Sequence, residues 1–134
     1  MNSHRPSPHL TWRELACKDG TPYPINDGTI IKLTNMFESI RSLYNKPIKV
    51  VSAYRTVSHN KKISGARNSQ HLLGKALDLK PPNGITVDIF YNDIKSNAKL
   101  FGIGGIGKYK TFIHVDIRKS SKLVVWFGSG VKDS

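Results

Sequence analysis

The chain has 134 residues, 38% of them hydrophobic, and a formal net charge of +12. That length fits one domain with a genuine core, and the ordinary apolar share excludes a disordered or collagen-like chain. Cys17 is the single cysteine, which excludes an intramolecular disulfide and a cysteine-rich zinc site; a metal here must take imidazole and carboxylate ligands.

No stretch approaches the roughly 20 apolar residues that span a bilayer. Arg5, Arg13, Glu14 and Asp19 interrupt every apolar core that a secretory signal would need. The expectation is a chain synthesised in the cytoplasm, without a transmembrane segment; work outside that compartment would require delivery by other means. The positive charge favours polyanionic surroundings such as nucleic acid, anionic lipid or a carboxylate-rich wall. No helix-turn-helix, zinc-finger or aromatic RNP-type spacing singles out nucleic acid as a specific partner.

Residues 1–27 read as a wrapping N-terminal arm, part of the same domain, because Pro6, Pro8, Pro22 and Pro24 deny regular helix. Within it, Thr11 to Cys17 forms a short helical turn, with Thr11 as N-cap and Glu14 at the capping-box position. Cys17 follows Leu15 and Ala16 and reads as a buried thiol. The main body, 28–134, opens with an amphipathic helix from Gly28 to about Tyr44, capped by Asp27. Its apolar residues Ile30, Ile31, Leu33, Met36, Phe37, Ile40, Leu43 and Tyr44 recur at three- and four-residue intervals. Asn45 and Pro47 end it.

Ile48 to Tyr54 is a β-branched strand. A long polar loop then runs from Arg55 to Gln70, of a kind that is often functional in a small domain. Lys75 to Leu79 is a second strand, closed by Pro81, Pro82 and Gly84. Ile85 to Leu100 reads as a helix with Ile89, Phe90, Ile94, Ala98 and Leu100 on its apolar side. Gly102 to Gly107 is a Gly-punctuated turn and strand, and lacks the Lys-Ser/Thr pair of a phosphate-binding loop. Phe112 to Ile117 and Leu123 to Phe127 are further strands, with Trp126 expected in the core. The fold class is α+β: a single compact domain with a small, mostly antiparallel sheet packed against helices.

Two of the five histidines sit where a metal fits. His71 lies at the exit of the polar loop, and Asp78 follows in a strand after the small residues Gly74 and Ala76. His114 lies in the apolar strand Phe112-Ile113-His114-Val115-Asp116. Two imidazoles and a carboxylate suit Zn²⁺ with a fourth position left for water, the arrangement of a catalytic site. His114 and Asp116, two apart on a strand, project from one face. Tyr109 could line a cleft, but nothing in the sequence raises it above an ordinary half-buried aromatic, and His59 reads as a solvated loop residue.

His71-x6-Asp78 with Gly74 and Ala76 between, followed by the apolar strand bearing His114, resembles the M15 family of zinc D-alanyl-D-alanine peptidases, in particular the phage and bacterial peptidoglycan enzymes of its subfamily A. The hedgehog signalling domain shares that zinc fold. The segment Ser52-Ala53-Tyr54-Arg55-Thr56 is similar to the one supplying the family's substrate-binding arginine. The likeness spans residues 10 to 128. It implies a zinc peptidase catalytic domain with His71, Asp78 and His114 as ligands, Arg55 as a catalytic and substrate-binding cation, and Ser69 as a further substrate contact.

This sequence departs from the family pattern at the general base. Relatives often place an acid three residues before the last His ligand, where this chain has Thr111. By elimination and strand geometry Asp116 is the candidate base; orienting a ligand or pairing with Arg118 is the alternative. The expected function is zinc-dependent hydrolysis of peptidoglycan stem or cross-bridge peptides by a monomer, of carboxypeptidase or endopeptidase type. A phage endolysin or virion part acting on the cell wall fits that reading. The alternatives are a non-catalytic, zinc-containing wall-binding module and, third, a basic nucleic-acid-binding domain.

Overall fold

The computed structural model describes residues 5–24 and 27–132. The first helix, α1 (Trp12–Leu15), is only four residues long and is fixed by its cap: Thr11 accepts from the Glu14 amide while the Glu14 carboxylate reaches back to the Thr11 amide. The long helix α2 (Asp27–Tyr44) follows; the side chain of Asp27, expected to cap it, lies outside the described residues. Ile30, Leu33, Met36, Phe37 and Ile40 are fully or nearly fully buried along one stripe, each contributing about 1.5–3 kcal/mol of apolar burial. Ile31 and Leu43, assigned to the same stripe from spacing, are instead exposed.

Strand β1 (Val50–Ser52) leads into what the sequence suggested was a loop. It contains a short helix, α3 (Val57–Lys62), capped by Thr56, and then a 3-10 turn (Gln70–Leu73) capped by Ser69. Helix α3 escaped notice because Ser58, His59, Asn60, Lys61 and Lys62 carry no apolar period. Strand β2 (Ala76–Leu79) is followed by α4 (Val87–Ser96), shorter than expected: Thr86 caps it, and Asn97 ends it. Phe90 and Ile94 are buried as expected, whereas Ile89 and Leu100 are exposed.

Strands β3 (Gly105–Lys108), β4 (Ile113–Asp116) and β5 (Val124–Phe127) complete an open five-stranded sheet in the order β1-β2-β4-β3-β5. Three pairings are antiparallel, and β5 runs parallel to β3 at one edge. The sheet is therefore mixed: the link from β4 passes β3 and adds β5 on its far side. On one face Leu77, Leu79, Ile106, Ile113 and Val115 join the buried residues of α2 and α4 in a single apolar cluster. Leu10, Leu15 and Tyr23 of the N-terminal arm belong to the same cluster, and the Tyr54 amide donates to Leu15 O. No helix among the described residues is long and apolar enough to cross a membrane.

Candidate metal centre

The other face of the sheet carries the chemistry. Ser52 pairs with Asp78, Asp78 with His114, His114 with Gly107, and Gly107 with Trp126, so one register level crosses all five strands. The adjacent level holds Ala76, Asp116 and Gly105. Period-two alternation sends all of these side chains away from the core.

His71 reaches this face from the 3-10 turn. The Ser69 hydroxyl accepts from the His71 amide at the start of the turn, and Gly74, at φ +68°, closes it. A β-carbon at Gly74 would lie 2.9 Å from the Tyr23 ring, whose hydroxyl donates to the Gly74 carbonyl. The arm thus holds the turn that carries the first imidazole.

His71, Asp78 and His114 converge, with one ligand atom of each within 4.8 Å of the others. All three are buried. Asp78 Oδ1 lies 3.0 Å from His71 Nε2 and 3.1 Å from His114 Nδ1. The outer nitrogens settle the tautomers. His71 Nδ1 is 2.6 Å from the Ala53 carbonyl and donates to it; His114 Nε2 is 2.7 Å from Asp116 Oδ2 and donates there. Each ring then turns a lone pair inward, toward an anionic oxygen. Two imidazole lone pairs and a carboxylate facing one point repel one another unless a cation or proton sits among them. The donor set fits a divalent transition metal such as zinc, and each histidine has the outer hydrogen bond that metal-bound histidines need.

Electrostatics bind the carboxylates firmly in their charged form. Burial pushes the Asp78 carboxyl up, but with a proton in the place of a cation on the inward nitrogens, hydrogen bonds from His114 and His71 outweigh it and hold it well below the usual range. For Asp116, burial likewise opposes ionisation, and the Arg118 and His114 hydrogen bonds win, lowering it to about 2. His114 is raised despite its burial, because Asp116 and Asp78 both favour its charged form.

The remaining site residues singled out from the sequence are Arg55, Ser69 and Asp116. Arg55 lines the cleft and is tied on three sides: Nη2 to Asp78 Oδ2 at 3.2 Å, Nε to Ser52 Oγ at 3.2 Å, and Nη1 to Asn60 Oδ1 at 3.3 Å. A guanidinium has five N–H groups, so hydrogens on both terminal nitrogens remain for a substrate. Asn60 was missed by sequence reasoning with the helix that bears it; it is buried and also donates to Ala66 O. Ser69 lines the same cleft. Asp116 does not. It is 0% exposed, with Oδ1 and Oδ2 both held by Arg118 and Oδ2 also by His114.

Trp126 is not a core residue as expected. It is half-buried and lines the cleft, its ring 4.9 Å from that of His114 and under the Arg118 guanidinium at 5.1 Å. Gly107 makes this possible: a β-carbon there would lie 2.5 Å from Trp126 Nε1. Gly105 likewise leaves room for the Asp116–Arg118 pair, at 2.6 Å and 2.7 Å. The Gly-x-Gly alternation of β3 is the signal that would have found both, since it empties one face of the strand at the level of His114 and Asp116. The whole cleft encloses about 700 Å³. Among its described lining residues Asp78 is the only carboxylate, against Arg55, Arg67 and Arg118.

A protein-family model described as Peptidase M15 matches residues 8–116, a span that contains His71, Asp78 and His114. No curated protein sequence matches the chain.

Proposed function

Because this chain belongs to the peptidase M15 family it is a peptidase, and we propose that it is a zinc-dependent one that cleaves stem or cross-bridge peptides of peptidoglycan. The observation that carries this reading is the convergence of His71, Asp78 and His114 in a buried cluster with inward lone pairs. Zinc bound there supplies Lewis acidity, polarising the scissile carbonyl and acidifying a water. His71 and His114 offer Nε2 and Nδ1 to it, and Asp78 offers Oδ1.

Arg55 has two tasks in this proposal. It neutralises the second oxygen of Asp78, and its remaining N–H groups receive a carbonyl or carboxylate of the substrate. Ser69 fixes His71 through its amide and has a hydroxyl hydrogen left for the peptide. Asp116 is reassigned from general base to positioning residue. A base must reach the water that it deprotonates; this carboxylate is sealed from the cleft and bonded by His114 and Arg118. It holds His114 in the tautomer that leaves Nδ1 free. The cationic cleft and the +12 charge suit the carboxylate-bearing peptides and anionic polymers of a cell wall. Lysis or wall entry by a phage, as an endolysin or virion part, is the setting we propose.

Mass spectrometry of purified muropeptides after digestion tests this reading. Cleavage that requires added zinc and stops with chelator is the expected result, and the product masses name the bond. The non-catalytic wall-binding reading draws on one observation, the lack of a second cleft carboxylate among the described residues. Zinc uptake and binding to sacculi with no new product mass would favour it.

A further inference from the structure

With Asp116 sealed away and Asp78 committed to His71, His114 and Arg55, the described cleft has no carboxylate free to act on the substrate. It does have a built hydroxyl. From the juxtaposition of Tyr109, Trp126 and His114 we infer that the Tyr109 phenol is a catalytic residue, donating a hydrogen bond to the scissile carbonyl oxygen as it becomes an oxyanion. This rests on the peptidase reading above.

Four observations carry it. Tyr109 Oη accepts from Trp126 Nε1 at 2.8 Å and has no other side-chain partner among the described residues. Its acceptor side is therefore occupied by the indole, and its own O–H is left to donate. The ring is clamped: Phe112 stacks on it at 4.6 Å and 5°, and Gly128 passes so close that a β-carbon would lie 2.6 Å from Tyr109 Cδ1. The aiming residue is itself fixed, since Trp126 packs on the His114 ring in the space left by Gly107. Finally, Tyr109, Phe112, His114 and Trp126 all line the one cleft. A core tyrosine needs none of this. A donor held rigidly before the charge appears is what oxyanion stabilisation requires.

In the step, the oxygen of water bonds to the carbonyl carbon as the C=O π pair moves onto the carbonyl oxygen. Tyr109 donates to that oxygen and keeps its proton throughout. The oxyanion's pair then re-forms the C=O bond as the C–N bond breaks with its pair going to nitrogen, and the proton lost by water reaches that leaving nitrogen through solvent in the cleft. Each atom is accounted for without a carboxylate base.

Tyr109→Phe keeps the stacked ring and removes only the hydroxyl. On the muropeptide that the wild type cleaves, kcat is expected to fall on the order of 10²-fold, with KM within about twofold. A phosphinate analogue of the cleaved dipeptide should lose affinity by a similar factor. Zinc content and thermal midpoint should match the wild type. Trp126→Phe, which removes the aiming N–H, should lower kcat by less, again at constant zinc content. An unchanged kcat in Tyr109→Phe, or a loss tracked by lost zinc, overturns the inference. Wild-type turnover is scored first: an inactive wild type overturns the peptidoglycan reading and this inference with it, whereas an active wild type beside an unaffected Tyr109→Phe overturns the inference alone.

Discussion

The two faces of the sheet are made by the same strands and obey different rules. On the core face, Leu77, Leu79, Ile106, Ile113 and Val115 meet helices through apolar contacts alone, where volume and patterning suffice. On the cleft face, one step away along each strand, Asp78, His114 and Asp116 each have specified partners, and Gly105 and Gly107 are specified by what must fit above them. The core face holds the strands together, and the cleft face uses the positions so fixed. Stability and chemistry are therefore separable by alternation along each strand.

Neighbouring substitutions in β2 give the largest expected contrast. Asp78→Ala should abolish turnover, by 10³-fold or more on the order of other ligand losses, with bound zinc lost by elemental analysis. Leu77→Ala should cost about 2–5 kcal/mol in denaturant unfolding yet keep its zinc and its kcat while folded. If Leu77→Ala emptied the metal site at temperatures where it remains folded, the two faces would not be separable. Asp116→Asn comes next. It preserves shape and removes the charge behind His114, so zinc affinity measured by chelator competition should fall about 10–100-fold. Turnover at saturating zinc should largely survive; its abolition with zinc retained would restore Asp116 as the base.

Gly107→Ala sharpens the comparison within β3. The new methyl meets the rigid indole at 2.5 Å, and overpacking of that kind costs about 1–3 kcal/mol. Altered Trp126 fluorescence should accompany the loss. The smallest effect concerns the arm. Tyr23 is raised by burial from 10.0 to about 12, so its contribution is complete below pH 10 and disappears as pH climbs toward 12. Tyr23→Phe should lose about 1 kcal/mol at neutral pH, through the missing bond to Gly74, and flatten the alkaline decline in thermal midpoint.

Much of this was legible in the sequence because it rests on local rules. The capping box of Thr11 and Glu14, the stripe of α2, and the alternation that puts His114 beside Asp116 are all short-range signals. The ligand set came from a resemblance, and the folded chain does gather those three side chains. What escaped depends on distant partners. Trp126 looks like core in any window of its own strand; only the register against Gly107 carries it to His114. Asp116 is a different case: its partners Arg118 and His114 are two residues away and the pairing with Arg118 was legible as an alternative, but its complete burial depends on Gly105 across the sheet. Asn60 was hidden in a helix without an apolar period.

The register level running from Ser52 through Asp78, His114 and Gly107 to Trp126 constrains how the chain can change in length. A single-residue insertion or deletion inside β2, β3 or β4 would swap hydrocarbon for ligand on both sides of the sheet at once. Such indels should be lethal to folding and activity together, while the segment from Lys119 to Lys122, outside any strand, can absorb them.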